Sequence, residues 1–300
     1  MRFNPQEIAD SRVRLAYSVE LQYEVAGPAE FLLNVHAAQT PHQSVVEESF
    51  RLSPEREVAV DTDPVTGNRI ASFDALPGSL VAHYSASVDI FHRMVDPESV
   101  VPDGPASLPV TALKFLHPSR YCQADLVQQR AWDMFGHLPR GYAQVCAVRD
   151  WVRENVRFQV GVSNPRTSAV DTLREGVGIC RDFAHTMIAL CRALNYPARF
   201  VTGVDYGADP DLGPPDFHAY VEVYIGDWFL FDPTGISPVT GLLRIGTGRD
   251  AADVSFATIF GPVGTGMPRV QVSAVDDAVQ GFRVPTPTDL AVSTATEVEA

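Results

Sequence analysis

A proline-bearing stretch, Val101-Pro102-Asp103-Gly104-Pro105-Ala106 followed by Pro109, splits this chain into two parts with different hydrophobic periods. Before it, apolar residues alternate or run in short segments such as Arg12-Val13-Arg14-Leu15 and Ala29-Glu30-Phe31-Leu32-Leu33-Asn34-Val35. Turn formers interrupt them at Gly27-Pro28, Asp63-Pro64, Thr66-Gly67-Asn68 and Pro77-Gly78. Short apolar runs bounded by turns read as strands, and their spacing predicts a sandwich or an open sheet. After it, Val145, Val148, Val152 and Val156 recur at helical spacing within 142–156. At 300 residues the chain has room for about two domains, at roughly 100–200 residues each. The expected division is a β-rich part over 1–110, a second unit over 111–260, and a C-terminal β segment with a partly frayed tail over 261–300.

Composition removes several classes of function. With 45% hydrophobic and 20% charged residues the chain can bury a core. A net charge of −14 disfavours nucleic-acid binding, which needs a basic footprint. No apolar run approaches the roughly 18 residues of a membrane helix, and MRFNPQEIAD lacks the apolar centre of a signal peptide. Four cysteines (Cys122, Cys146, Cys180 and Cys191) without a C-x-x-C pair argue against a disulfide scaffold and a zinc knuckle. A cytoplasmic location is the expectation, with no nucleic-acid or membrane partner.

One segment decides the functional reading. Glu175-Gly176-Val177-Gly178-Ile179 is a glycine-rich turn, and Cys180 opens a helical run in which Cys180, Ala184, Met187, Ile188, Cys191 and Leu194 share a face. Asn195-Tyr196-Pro197 ends it, because proline cannot continue a helix. Upstream, Thr167 or Ser168 caps a short helix, with Asp171 placed for a capping box. Downstream, 198–204, 218–225 and 228–232 read as strands, separated by an acidic loop with Asp205, Asp209, Asp211 and Asp216 that reads as solvated, the alternative being that it borders the cleft and favours basic substrates. A helix N-terminus carries partial positive charge and unpaired N–H groups, which favour a thiolate and can bind an oxyanion. Cys191 lies in the apolar stripe and reads as core. A nucleophilic cysteine needs a base, and the base needs an orienting group. His218 leads a strand and Asp232 closes the next one, both at element ends, where active sites gather. His36, His42, His83 and His92 are scattered and read as surface or core histidines.

Four segments in order, Gly178-Ile179-Cys180-Arg181-Asp182-Phe183-Ala184, Arg199-Phe200-Val201-Thr202-Gly203, His218-Ala219-Tyr220-Val221-Glu222-Val223 and Trp228-Phe229-Leu230-Phe231-Asp232-Pro233-Thr234, closely resemble the core of the bacterial transglutaminase-like family. A flanking stretch over 244–253 resembles the family's tail, and the β-rich first third is similar to its N-terminal region. The resemblance implies an α+β fold: an N-terminal antiparallel β-sandwich-like domain, then a papain-like core in which a helix bearing the nucleophile packs on an antiparallel sheet. It places a catalytic triad on Cys180 as nucleophile, His218 as base and Asp232 as orienting carboxylate. Tyr220 stands where the family often has Trp.

That triad carries a geometric condition. A two-residue turn at Gly226-Asp227 would set Asp232 opposite Val221, on the wrong face of the sheet. A three-residue turn would restore the face but leave Asp232 opposite Glu222, four residues from His218. The expectation is therefore a wide loop, a bulge or strong twist near 223–227. His185 lies off the thiol's helix face and is not expected to be the base, and a metal site built on Cys180, His185 and His218 matches no zinc spacing. Asp182, in the first turn, is expected to complement the helix dipole. The expected activity is a thiol-dependent acyl transfer on a peptide or protein substrate. Hydrolysis of a peptide or related amide is favoured, with no cofactor and no metal. The alternatives are a protein-glutamine transglutaminase using an amine acceptor, and a non-catalytic binding or scaffold protein on the same fold.

Overall fold

The computed structural model of the chain describes residues 7–208 and 215–294. The first third is all strand: β1 (Glu7–Val25), β2 (Ala29–Leu33), β3 (Gln43–Ser53), β4 (Ala59–Thr62), β5 (Arg69–Ala75) and β6 (Gly78–Val95). Helices dominate next: α1 (Val110–Leu113), α2 (Gln128–Phe135), α3 (Tyr142–Asn155), β7 (Arg157–Phe158), α4 (Ala169–Glu175), β8 (Val177–Gly178) and α5 (Cys180–Ala193). Strands return as β9 (Ala198–Asp205), β10 (Phe217–Tyr224), β11 (Trp228–Phe231), β12 (Leu242–Gly248), β13 (Ala257–Phe260), β14 (Val263–Thr265), β15 (Arg269–Val275) and β16 (Ala291–Ser293). The fold is α+β, with helices gathered on one antiparallel sheet and a second β-rich region beside it.

Two strands of the first third are longer than the turn spacing suggests, because β1 keeps period-two alternation from Val13 to Val25. Val13, Leu15, Tyr17, Val19, Tyr23 and Val25 all point into one core. β1 and β6 pair antiparallel and carry β3, β14, β15 and β16 beside them, while β13-β2-β5-β4 forms the facing sheet. Aromatic rings meet between and within the layers: Tyr23 of β1 meets Phe31 of the facing sheet edge-on at 5.1 Å, and Phe31 stacks on its strand partner Phe73 at 5.0 Å. The stretch 261–300 makes no unit of its own in its described part. β14 and β15 pair with β1, and β16 pairs with β6 with its three residues buried. The described part of this stretch is thus paired through β14, β15 and β16, and 295–300 lie outside the described residues. Its apolar residues fill the edge of a sheet begun far upstream, a pairing that local periodicity does not reveal.

The second unit is built around α5, buried on every side from Asp182 to Ala193 rather than along one stripe. Ala219, Val221 and Val223 of β10 share its core with Phe183, Met187, Ile188 and Cys191, while Tyr220 faces a separate cluster with Met94, Val201 and Leu242. The four-stranded order is β11-β10-β9-β12. On the Tyr220 side, buried Glu222 is held between two buried guanidinium groups. Arg199 Nε donates to it at 2.6 Å, and Arg244 donates at 2.6 and 3.1 Å. Burial opposes the charge of Glu222, but the two arginines outweigh it and hold its carboxyl below the usual range. This cluster ties β9, β10 and β12 together. Val204, Leu243 and Ile245 reach into the core of the β-rich region, so the two units share apolar contact. No helix among the described residues is long and apolar enough to cross a membrane.

Candidate active site

Of the two cap candidates, Thr167 and Ser168, it is Ser168 that caps α4. Its hydroxyl and Asp171 form a capping box, and Gly176 in the left-handed region ends the helix. The chain then enters β8, which pairs parallel with β7, and turns into α5 at Ile179. Ile179 has no side chain to cap the helix, so Asp182 takes that part. Its Oδ2 accepts from the Ile179 N–H at 3.0 Å, and its Oδ1 accepts from the Ser163 hydroxyl at 3.0 Å and from Arg181. Gly178 permits this closeness, since a Cβ there would lie 2.7 Å from the Asp182 Cβ. Asp182 is fully buried and does more than complement the dipole: it fixes the turn that presents Cys180. Arg181 anchors the loop before α4 to the same turn, donating to Ser163 Oγ at 2.6 Å and to the Asn164 carbonyl at 2.8 Å.

β10 and β11 bring His218 and Asp232 onto one face without the irregularity expected. The register runs unbroken from Val221↔Phe231 to Tyr224↔Trp228, leaving a three-residue loop of Ile225, Gly226 and Asp227. Gly226 adopts φ +80°, and the Ile225 N–H closes the loop on the Asp227 carbonyl at 2.7 Å. One further step along this register sets Asp232 opposite Tyr220, not Glu222. A three-residue loop starting at Gly226 would lie one residue too late; centred on Gly226, a plain hairpin satisfies the condition with no bulge or wide loop.

The three groups singled out from the sequence meet. His218 Nε2 is 3.3 Å from Asp232 Oδ1, and the imidazole shares a hydrogen bond with the Cys180 thiol. His218 and Asp232 are buried, at 5% and 3% exposure, while Cys180 is half-buried and so accessible. Burial works against charge on His218, but the Asp232 carboxylate and the bond to Cys180 prevail, and its pKa is held well above the ordinary value. Burial likewise opposes the Asp232 charge; His218 and the Thr234 donors overcome it and hold that carboxyl low. Thr234 donates to Asp232 Oδ1 from its hydroxyl at 2.6 Å and its backbone N–H at 2.8 Å, and the Ser237 N–H reaches Oδ2 at 3.3 Å. Arg153 of α3 donates to the Asp232 carbonyl at 3.0 Å. Tyr220 meets the His218 ring edge-on at 4.7 Å and shares a 2.7 Å hydrogen bond with Ser237.

Other candidates fall where chemistry is absent. His185 stacks on Tyr121 at 4.9 Å, accepts from the Ala251 N–H, and is kept neutral by burial. Burial also holds His36 and His92 down to about 4. Cys122 and Cys191 are buried, and burial pushes the thiols of Cys122, Cys146 and Cys191 upward, that of Cys122 to about 12. The acidic loop needs correction. Asp205 is not solvated: it closes β9 at 6% exposure, 3.9 Å from His218 Nδ1. Asp216 is exposed, and Asp209 and Asp211 lie outside the described residues. Arg153, Thr234 and Ser237 carry no role in the sequence analysis, and Asp205 carries only that of a loop acid; the Pro-Thr-Gly run after Asp232 is the available signal for Thr234.

Residues 129–233 match the transglutaminase-like superfamily, and residues 13–107 match the N-terminal domain of bacterial transglutaminases. The crystal structure of a proposed cysteine protease from Cytophaga hutchinsonii is 36% identical, superposes with a TM-score of 0.86, and covers 95% of this chain and 99% of its own. The chain belongs to the transglutaminase-like superfamily. An uncharacterized protein of Mycobacterium leprae (strain TN) is 32% identical over 124 residues, 40% of this chain; the match covers 44% of that relative, less than half its length. The family and the α+β architecture that the four motifs imply are therefore correct; the superfamily match covers the helix-on-sheet core, and the strand-rich region matches the N-terminal domain of bacterial transglutaminases.

Proposed function

We propose that this chain is a thiol-dependent acyl-transfer enzyme that hydrolyses a peptide or related amide bond. The observation that carries the reading is the meeting of Cys180, His218 and Asp232, with the carboxylate on one side of the imidazole and an accessible thiol in hydrogen-bonding range. The thiol proton passes to His218, and the Cys180 sulfur attacks the carbonyl carbon. The developing oxyanion is met by N–H groups at the start of α5, which have no carbonyl partner within the helix. His218 then gives its proton to the leaving nitrogen as the C–N bond breaks, leaving an acyl-thioester. Water attacks next; His218 takes its proton, the C–S bond breaks, and a carboxylic acid and free thiol result. Asp232 holds the ring and supports the imidazolium in both halves. The 36% identity to a proposed cysteine protease along nearly the whole chain supports hydrolysis as the outcome.

The test is in two parts. Iodoacetamide at neutral pH is expected to alkylate Cys180 ahead of Cys122, Cys146 and Cys191, with the order read by peptide mass spectrometry; four equally sluggish thiols would point to a binding protein. A peptide and amide library is expected to be cleaved by the wild type and not by Cys180→Ala. Incorporation of a primary amine into a glutamine peptide, with ammonia released, would move the assignment to cross-linking.

A further inference from the structure

We propose that Asp205 is a positioning residue of this site, a second carboxylate that holds His218 as the imidazolium from the Nδ1 side while Asp232 holds it from Nε2. The inference rests on the catalytic reading above. Asp205 ends β9, and His218 lies on β10, which pairs with β9 at His218↔Gly203. The Asp205 Oδ2 to Nδ1 distance is 3.9 Å, against 3.3 Å from Asp232 Oδ1 to Nε2, so the ring sits between two carboxylates. Asp205 is 6% exposed, and its charge is therefore poorly screened. A hydrogen bond from Ser237 steadies it, and the Ser237 N–H also reaches Asp232, so one residue spans both acids.

The geometry gives Asp205 a specific task. With Asp232 on Nε2, the Nδ1 side of the ring is the one left for the thiol. Once the sulfur is acylated it no longer carries charge, and the imidazolium that forms during attack by water loses that anion as a partner. Asp205 remains on the same side of the ring and supplies negative charge through the second half of the reaction. The groups facing His218 are Cys180 from α5, Asp205 from β9, Tyr220 and exposed Asp216 from β10 and its approach, and Asp232 after β11. Tyr220 stays neutral, since burial holds its phenol far up. Burial also raises the Asp205 carboxyl, yet at alkaline pH it is ionised, and there its effect is read.

The experiment is the pH dependence of Cys180 alkylation in the full-length protein by iodoacetate, an anion whose attack the imidazolium favours. Removing a nearby negative charge makes protonation of His218 less favourable. Asp205→Asn is therefore expected to move the alkaline limb, where the imidazolium is lost, down by about 1 pH unit. Asp205→Ser should move it alike, and Asp205→Glu should restore most of the wild-type position. Asp216→Asn removes the same charge at an exposed position, and the shift should be much smaller. An alkaline limb unmoved in both neutral variants, with folded protein by thermal melting, overturns the role of Asp205 while leaving the triad intact. A wild-type protein whose Cys180 shows no preferential, pH-dependent alkylation overturns the catalytic reading and this inference together. If Asn unfolds the protein, the Ser and Glu variants carry the comparison.

Discussion

Replacing Asp232 by asparagine removes a charge and leaves most of the geometry in place. Asp232 Oδ1 receives Thr234 at 2.6 and 2.8 Å and faces His218 at 3.3 Å, while Oδ2 receives only the Ser237 N–H at 3.3 Å. The amide of Asp232→Asn therefore seats its oxygen at the Oδ1 position, where the stronger donors converge, and its NH2 replaces the oxygen that accepted from the Ser237 N–H, losing that weaker bond. The hydrogen bond to Nε2 survives and the electrostatic support for the imidazolium goes. At 3.3 Å, with an effective dielectric of about 20, that attraction is about 5 kcal/mol before relaxation. An opposite charge at this range moves a pKa by about 1–3 units, or about 1.4–4 kcal/mol. His218 is raised well above its ordinary value, so the wild-type imidazolium persists as pH climbs and is lost only at the upper end. In the variant it should be lost about 1–3 units lower, and amide hydrolysis should fall by about 10²–10⁴-fold. The measurement is the rate of Cys180 alkylation from pH 5 to 10 (roughly the range that brackets thiol and imidazole titration), together with turnover of any library substrate found. An alkaline limb that stays put, with full activity, would refute the assignment of Asp232 as the group that charges and orients His218.

Glu222→Gln should cost about 3–5 kcal/mol in urea unfolding, because it strands two buried guanidinium groups. Because the folded-state pKa of Glu222 lies below its ordinary 4.5, its contribution is complete above that value and is lost as pH falls through the lower folded one; a wild-type melting temperature flat down to pH 3 would contradict this. Asp182→Ala should lower the alkylation rate of Cys180 more than it lowers the unfolding midpoint, since the carboxylate holds the turn carrying the nucleophile; equal losses would reduce it to an ordinary cap worth about 1 kcal/mol.

The legible part of this molecule is its local part. The Ser168 cap, the glycine turn into Cys180, the end of α5 at Asn195-Tyr196-Pro197 and the strands around His218 and Asp232 are each written in a few consecutive residues, and each stands where expected. What failed was pairing at long range. Apolar alternation in β15 says that it is a strand, but not that its partner is β1, some 250 residues earlier. The hairpin failed more narrowly: one residue of loop position decides whether Asp232 faces Tyr220 or Glu222, and sequence gives no such precision when Gly226 and Asp227 are both turn formers. Asp205 does not follow the acidic-loop expectation because the residues after it are turn-rich, whereas its burial comes from its pairing with Leu242 of β12 and from His218 and Ser237 beside it.

The Glu222 cluster and the candidate site belong to one sheet, and that is more than coincidence of place. His218, Tyr220 and Glu222 alternate along one face of β10. Arg199 and Asp205 are on β9, and Arg244 is on β12, so the salt-bridged trio pins the strands that deliver His218 and its second carboxylate. A distance of 3.9 Å between Asp205 and Nδ1 is useful only if β9 and β10 do not slide or splay, and a buried charge cluster with fixed bonding directions resists that motion better than apolar packing, which tolerates repacking. Replacing Glu222, Arg199 and Arg244 together by apolar residues of like volume would therefore be expected to preserve stability while loosening the ring's position, lowering turnover with little change in the melting temperature. Turnover that survives such a replacement undiminished would show that the trio holds the fold and has no part in the geometry of His218.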